Sequence, residues 1–145
     1  MLAIYVLNGP NLNLLGAREP EVYGSFTLND LRKSVQEWGS TNEVELQVLQ
    51  TNSEDELIGW LHKAMSEKAS VVLNPAAFTH YSYALRDACA ALTGSGLSLI
   101  EVHISNPYAR ETFRHNSVIS GVATGVIAGF GIDSYLLALD QLARR

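Results

Sequence analysis

Short apolar runs alternate with helical patterns along this chain, and that alternation restricts the fold more than any other feature. The runs Leu2–Leu7, Val44–Leu49, Val71–Leu73, Leu97–His103 and Ala123–Ala128 read as strands. Between them Leu28, Leu31, Val35 and Trp38 recur at three- and four-residue steps, with Thr27 as N-cap and Gly39 as a stop. Ser53 and Glu56 form a capping box before Leu57, Trp60, Leu61 and Ala64. A third helix runs from about Tyr81 through Leu85, Ala88 and Leu92 to near Gly94, and a last one from Ser134 to about Ala143. Alternation of this kind predicts an α/β fold whose parallel sheet is covered on both faces. With no repeat, linker or low-complexity tract, residues 1–145 are expected to form a single domain.

Composition narrows the function classes. The chain carries 15 acidic and 10 basic residues, a net charge of -5 with no basic stripe, so nucleic acid is excluded as an expected partner. No apolar run approaches the ~20 residues of a membrane span, and no basic leader precedes Leu2–Leu7. The single Cys89 has no internal disulfide partner and suits a reducing cytoplasm. No Cys/His cluster has zinc spacing.

In a parallel sheet, ligands bind beyond the carboxyl ends of the strands. Polar residues gather there: Asn8 and Asn11 after the first strand, Thr51 and Asn52 after the second, Asn74 after the third, Glu101 and His103 ending the fourth. The connection from Asn8 to Gly24 is seventeen residues long, far beyond the usual handful, and loops of that length are functional or disordered. Leu12, Leu14, Leu15 and Val22 provide apolar anchors against disorder, so the segment reads as an active-site loop with a mobile second half.

Each group has two readings. Asn8-Gly9-Pro10-Asn11 is either a plain turn or a ligand loop. Tyr23 is either a packing residue or a base, and a guanidinium within a few Å of a desolvated phenol favours the phenolate. Arg18, Arg110 and Arg114 are the available cations. Arg110 and Arg114 form either a solvated helical face or an anion site. His80, just before the third helix, is a cap or a ligand at a helix N-terminus. His103 shares a strand face with Leu99 and Glu101, as a satisfied core residue or as an acid oriented by Glu101. His62 reads as surface, Cys89 as core, and the glycines at 121, 125, 129 and 131 as close packing of the last strand rather than a phosphate cradle.

Taken together, Asn8-Gly9-Pro10-Asn11-Leu12, Arg18-Glu19-Pro20 with Tyr23-Gly24, Asn74-Pro75 with Thr79-His80, Arg86-Asp87-Ala88 and Glu101-Val102-His103-Ile104-Ser105-Asn106 closely resemble the type II 3-dehydroquinate dehydratases over essentially the full chain. The resemblance implies a flavodoxin-like three-layer sandwich with a five-stranded parallel sheet. It also implies a hydro-lyase of the shikimate pathway, and so of aromatic amino acid biosynthesis, that removes water from 3-dehydroquinate without a cofactor or metal. On this reading Tyr23 is the base, Arg18 holds its phenolate, Asn11 orients a water at the enolate oxygen, and His103 is the acid with Glu101 as its partner. Asn74, His80 and Arg114 bind hydroxyls, and Ile104 and Ser105 bind the carboxylate. Asp87 is contributed by a neighbouring subunit of a dodecamer, a tetramer of trimers. The run His115-Asn116-Ser117-Val118 departs from the family pattern, which often has a second histidine and then Ser-Tyr. Ala76-Ala77 replaces glycines common in relatives, which reads as a small change.

Overall fold

A computed structural model describes residues 2–144. In chain order the elements are β1 (Ala3–Asn8), α1 (Pro20–Tyr23), α2 (Leu28–Asn42), β2 (Glu45–Gln50), α3 (Glu54–Ser66), β3 (Ser70–Asn74), α4 (Tyr83–Gly94), β4 (Leu99–His103), β5 (Gly125–Ala128) and α5 (Ile132–Ala143). The five strands pair in parallel in the order β2-β1-β3-β4-β5. That is the doubly wound order of flavodoxin-like sheets, with its switch point between β1 and β3. All five strands read from the sequence are present: β1, β2 and β3 differ by one residue at each end, while β4 and β5 start two residues later and end where expected.

Alternation along each strand divides the interior in two. Ile4, Val6, Val72, Ile100 and Val102 face α2 and α5, where they meet Leu31, Val35, Ala138, Leu139 and Leu142. Tyr5, Leu7, Val71, Leu73 and Leu99 face α3 and α4, where they meet Leu57, Leu61, Leu85, Cys89 and Leu92. Both faces of the sheet are therefore covered, and burying a Leu or Ile of this kind contributes about 1.5–3 kcal/mol. No helix among the described residues is long and apolar enough to cross a membrane.

Several helix ends differ from the sequence reading, each for a local reason. Gly39 does not stop α2, which continues to Asn42. A Cβ at Gly39 would lie 2.7 Å from the Leu46 Cδ1 atom, so the glycine lets the helix approach β2. The reciprocal capping box sits at Thr27 and Asp30, whose side chains accept each other's backbone N–H at 3.1 and 2.9 Å. Ser53 accepts from the Glu56 N–H at 3.2 Å. Helix α4 is capped by Ser82, not His80, because a 3-10 turn over Ala76–His80 comes first. Helix α5 begins at Ile132 rather than Ser134. Gly121 and Gly125 have nothing within 4 Å of a would-be Cβ, so close packing does not explain them. Gly129 and Gly131 hold φ of +98° and +61°, conformations that suit glycine.

Candidate active site

The loop after β1 begins under tight constraint. Gly9 donates to the Asn74 carbonyl at 2.8 Å, and a Cβ there would sit 2.7 Å from the Pro75 carbonyl oxygen. The connections after β1 and β3 are thus pressed together at the switch point. Asn11 adopts φ +69°, a region asparagine tolerates, and its N–H donates to Asn52 Oδ1 at 3.0 Å. Leu12 and Leu15 anchor the loop in the core. The chain then turns through Glu19 at φ +40° into the single turn α1, led by Pro20 at its first position. Tyr23 ends that turn and is buried, its ring packed with the α2/α5 core. The guanidinium carbons of Arg18 and Arg110 lie 4.8 and 4.9 Å from the ring centre. Two cations therefore attend one phenol.

The end of β4 carries a different pair. Leu99, Glu101 and His103 share a face by strand alternation, and Glu101 is completely buried. His103 Nε2 and Glu101 Oε2 are 2.5 Å apart. The same carboxylate accepts from Thr79 Oγ1 at 2.6 Å, from Ser120 Oγ at 2.5 Å, and more distantly from Ser117 Oγ at 3.4 Å. Burial alone pushes the Glu101 carboxyl up, but the His103 contact and the Ser120 and Thr79 hydroxyls outweigh it and hold the group below its ordinary value. With Nε2 so occupied, the other ring nitrogen of His103 is the one without a partner among the described residues, and His103 lines the pocket.

The remaining wall comes from the β3 end and from the segment after β4. Asn74 ends β3, and the 3-10 turn beyond it brings His80 to the rim, where Nδ1 meets the Asn116 carbonyl at 2.7 Å. Arg110 Nη1 donates to Ser105 Oγ at 3.1 Å and Arg114 Nε donates to Glu111 Oε1 at 3.0 Å. Hydrogen bonding to Arg114 holds the exposed Glu111 carboxyl below its ordinary value. Arg110 and Arg114 are not a solvated helical face: Arg110 follows a 3-10 turn over Pro107–Ala109, Arg114 lies in a second one over Thr112–His115, and their side chains are only 12% and 14% exposed. The pocket opens to solvent at this rim, with about 570 Å³ of space counted out to its mouth. Arg18, Arg110 and Arg114 line it and no acidic side chain does, so in a chain of net charge -5 its lining is locally basic.

Of the residues singled out from the sequence, Asn11, Arg18, Tyr23, Asn74, His80, His103, Ile104, Ser105 and Arg114 line this one pocket. Glu101 stands behind His103. Asp87 lies outside it, on α4, with its side chain 75% exposed and paired to Arg86 at 2.9 Å. Asn8 and Thr51, read as rim residues, are buried and structural: Thr51 Oγ1 accepts from the Ser53 N–H at 3.0 Å. Arg110, weighed from the sequence as a candidate cation for Tyr23 and with Arg114 as an anion site but given no role in the family reading, lines the pocket too. One feature escaped the sequence reading. The hydroxyl shell of Thr79, Ser117 and Ser120 had no signal, because its members meet only when the chain folds. Ala76 holds φ +51°, in the left-handed region that glycine occupies freely.

A model of the family "Dehydroquinase class II" matches residues 2–143. The 3-dehydroquinate dehydratases of Salinispora tropica and Salinispora arenicola are 56% and 58% identical to this chain, with alignments covering 99% of both partners in each case. The crystal structure of the type II dehydroquinase from Propionibacterium acnes superposes with a TM-score of 0.95 at 48% identity, covering 100% of this chain and 98% of that one. With the parallel sheet and the pocket at its carboxyl rim, these matches establish that the chain belongs to the class II dehydroquinase family.

Proposed function

We propose that this protein is a 3-dehydroquinate dehydratase that eliminates water from 3-dehydroquinate to give 3-dehydroshikimate, the shikimate-pathway step that serves aromatic amino acid biosynthesis. The observation that carries the reading is the sharing of one pocket by a phenol attended by two guanidiniums and an imidazole bound to a buried carboxylate. The overall change is an anti elimination, and it needs a base and an acid at different places. Tyr23, as phenolate, takes the proton from C2, and the electron pair moves into an enolate whose oxygen is stabilised through a water held by Asn11. The enolate then collapses, the C1–O bond breaks, and His103 gives its proton to the departing hydroxyl, which leaves as water. Glu101 remains an anion and keeps the imidazole oriented. Both proton transfers are supplied by side chains, so the scheme calls on no cofactor or metal.

Binding follows from the same wall. Asn74, His80 and Arg114 take the ring hydroxyls, and Ile104 and Ser105 take the carboxylate, with Arg110 bonded to Ser105 from behind. Closure of the segment carrying Arg18 and Tyr23 would exclude water and strengthen the contact between them. We read residues 1–145 as one catalytic domain, since the single sheet draws strands from both ends of the chain. Asp87, exposed and outside its own pocket, fits the role of a residue lent to a neighbouring subunit in a dodecamer of four trimers. A cytoplasmic location agrees with the single, buried, unpaired Cys89. The reaction is tested by following the absorbance of the conjugated product from 3-dehydroquinate. Turnover is expected, and its absence in folded protein would remove the assignment.

A further inference from the structure

Beneath the pocket wall lies a buried chain of hydrogen bonds that the proposed reaction does not use. Asn8 Nδ2 donates to the Leu49 carbonyl at 3.0 Å, and the Tyr135 hydroxyl is 2.7 Å from Asn8 Oδ1. Asn74 Nδ2 is 2.8 Å from that hydroxyl, and the Ala76 N–H is 3.0 Å from Asn74 Oδ1. Asn8 and Tyr135 have no exposed surface and Asn74 has 3%.

The two backbone ends determine the direction of every bond between them. A carbonyl such as that of Leu49 only accepts, so Asn8 must turn its NH2 toward it and its oxygen toward Tyr135. A tyrosine hydroxyl has one hydrogen, and here it goes to Asn8. Tyr135 can therefore only accept from Asn74, which requires the Asn74 nitrogen on that side. From the other end, the Ala76 N–H only donates, which requires the Asn74 oxygen facing it. Both ends impose the same orientation on the Asn74 amide. One hydrogen on its nitrogen then has no partner among the described residues, and Asn74 lines the pocket.

We infer that Tyr135 and Asn8, neither of which lines the pocket, are positioning residues that make Asn74 a fixed hydrogen-bond donor to the ligand. The ligand group at that wall is consequently one that accepts there, a hydroxyl oxygen whose own hydrogen points elsewhere. The placement of Tyr135 on α5 gives the last helix a part in substrate recognition. The inference rests on the reading of Asn74 as a substrate contact, and its test separates the two.

The test compares Tyr135→Phe and Asn8→Ala in steady-state turnover of 3-dehydroquinate, beside a crystal structure of Tyr135→Phe. Tyr135→Phe is expected to raise KM about 3- to 10-fold, the worth of one weakened neutral hydrogen bond, with kcat within about twofold. Asn8→Ala should behave alike, since Tyr135 loses the acceptor that orders it. In the crystal, the Asn74 amide, left with the Ala76 N–H as its one partner in the chain, should move from its wild-type position or show more than one rotamer. An unchanged KM in Tyr135→Phe, or in Asn8→Ala should Tyr135→Phe not fold, overturns the inference, and so does a fall confined to kcat. A wild type without turnover would sink the assigned reaction instead; the Asn74 conformer in the Tyr135→Phe crystal would still decide the wiring, an unmoved amide counting against it.

Discussion

The guanidinium carbon of Arg110 lies 4.9 Å from the centre of the Tyr23 ring, matching the 4.8 Å of Arg18 although the two arginines are ninety-two residues apart. Their surroundings differ. The Arg110 side chain is 12% exposed and lies 4.0 Å from the Glu111 carboxylate, whereas that of Arg18 is 34% exposed and lies 3.5 Å from that of Glu19. At equal distance from the ring, a cation that water reaches is screened more than one largely withdrawn from it. Arg110 should therefore support an anionic phenol at least as strongly as Arg18.

Replacing Arg110 by Ala is accordingly expected to lower kcat about 10- to 100-fold, no less than Arg18→Ala does. Tyr23→Phe, which removes the base, should cost about 10²–10⁴ or more while substrate still binds. Product absorbance gives the rates and calorimetry with the inactive variant gives binding. A mild Arg110→Ala beside a severe Arg18→Ala would show that the buried cation serves only the carboxylate of the substrate through Ser105.

Asp87 makes a prediction about assembly. A carboxylate 75% exposed and absent from its own pocket has no reason to affect turnover in an isolated chain. If it completes a neighbour's site, light scattering should report a particle near twelve times the 15.8 kDa chain, and Asp87→Asn should reduce activity about tenfold without changing that mass. A fully active monomer would end this role.

The strands and long helices were legible because periodicity is a local property: Leu28, Leu31 and Val35 announce a buried face wherever the rest of the chain goes. What was lost is what depends on distant partners. Gly39 resembles a helix stop until Leu46 is seen beside it, and the four residues of α1 are too few to show a period. The pocket residues could be placed because strand ends are readable and the motifs around them are specific. Arg110 could be named only as one of three candidate cations, since its meeting with Tyr23 requires the segment after β4 to fold back over the loop after β1. Ser, Thr and Asn are so common that Thr79, Ser120 and Asn8 gain meaning only from the atoms they touch.

Ala76 offers a stability test of backbone strain. An L-residue in the left-handed region costs about 1–2 kcal/mol, while glycine costs about 0.5–1 kcal/mol in chain entropy. Loss of its partly buried methyl takes back some of the relief. Ala76→Gly should thus leave stability within about 0.5 kcal/mol of wild type in denaturant titration. Ala88→Gly, inside α4 and buried, should lose about 1–2 kcal/mol. A loss above about 1 kcal/mol at position 76 would mean that the turn carries no relievable strain.

Glu101 links the site to acid stability. Its carboxyl is held below the ordinary value of 4.5 because the His103 contact and the hydroxyls of Ser120 and Thr79 outweigh the effect of burial. Between the lowered value and 4.5 the unfolded chain binds more protons than the folded one, so stability rises with pH across that window. The contribution is complete above about pH 4.5 and disappears as the pH falls through the lowered value. Glu101→Gln should lose about 1–3 kcal/mol at neutral pH, because a donor-bearing amide replaces an acceptor surrounded by donors. The gap in melting temperature between the two proteins should then narrow as the pH is lowered from 5 toward 3, measured by calorimetry at constant ionic strength. A gap that stays constant across that range would show that the folded protein does not favour the ionised form of Glu101, and would remove the basis for treating it as the permanent anion behind His103.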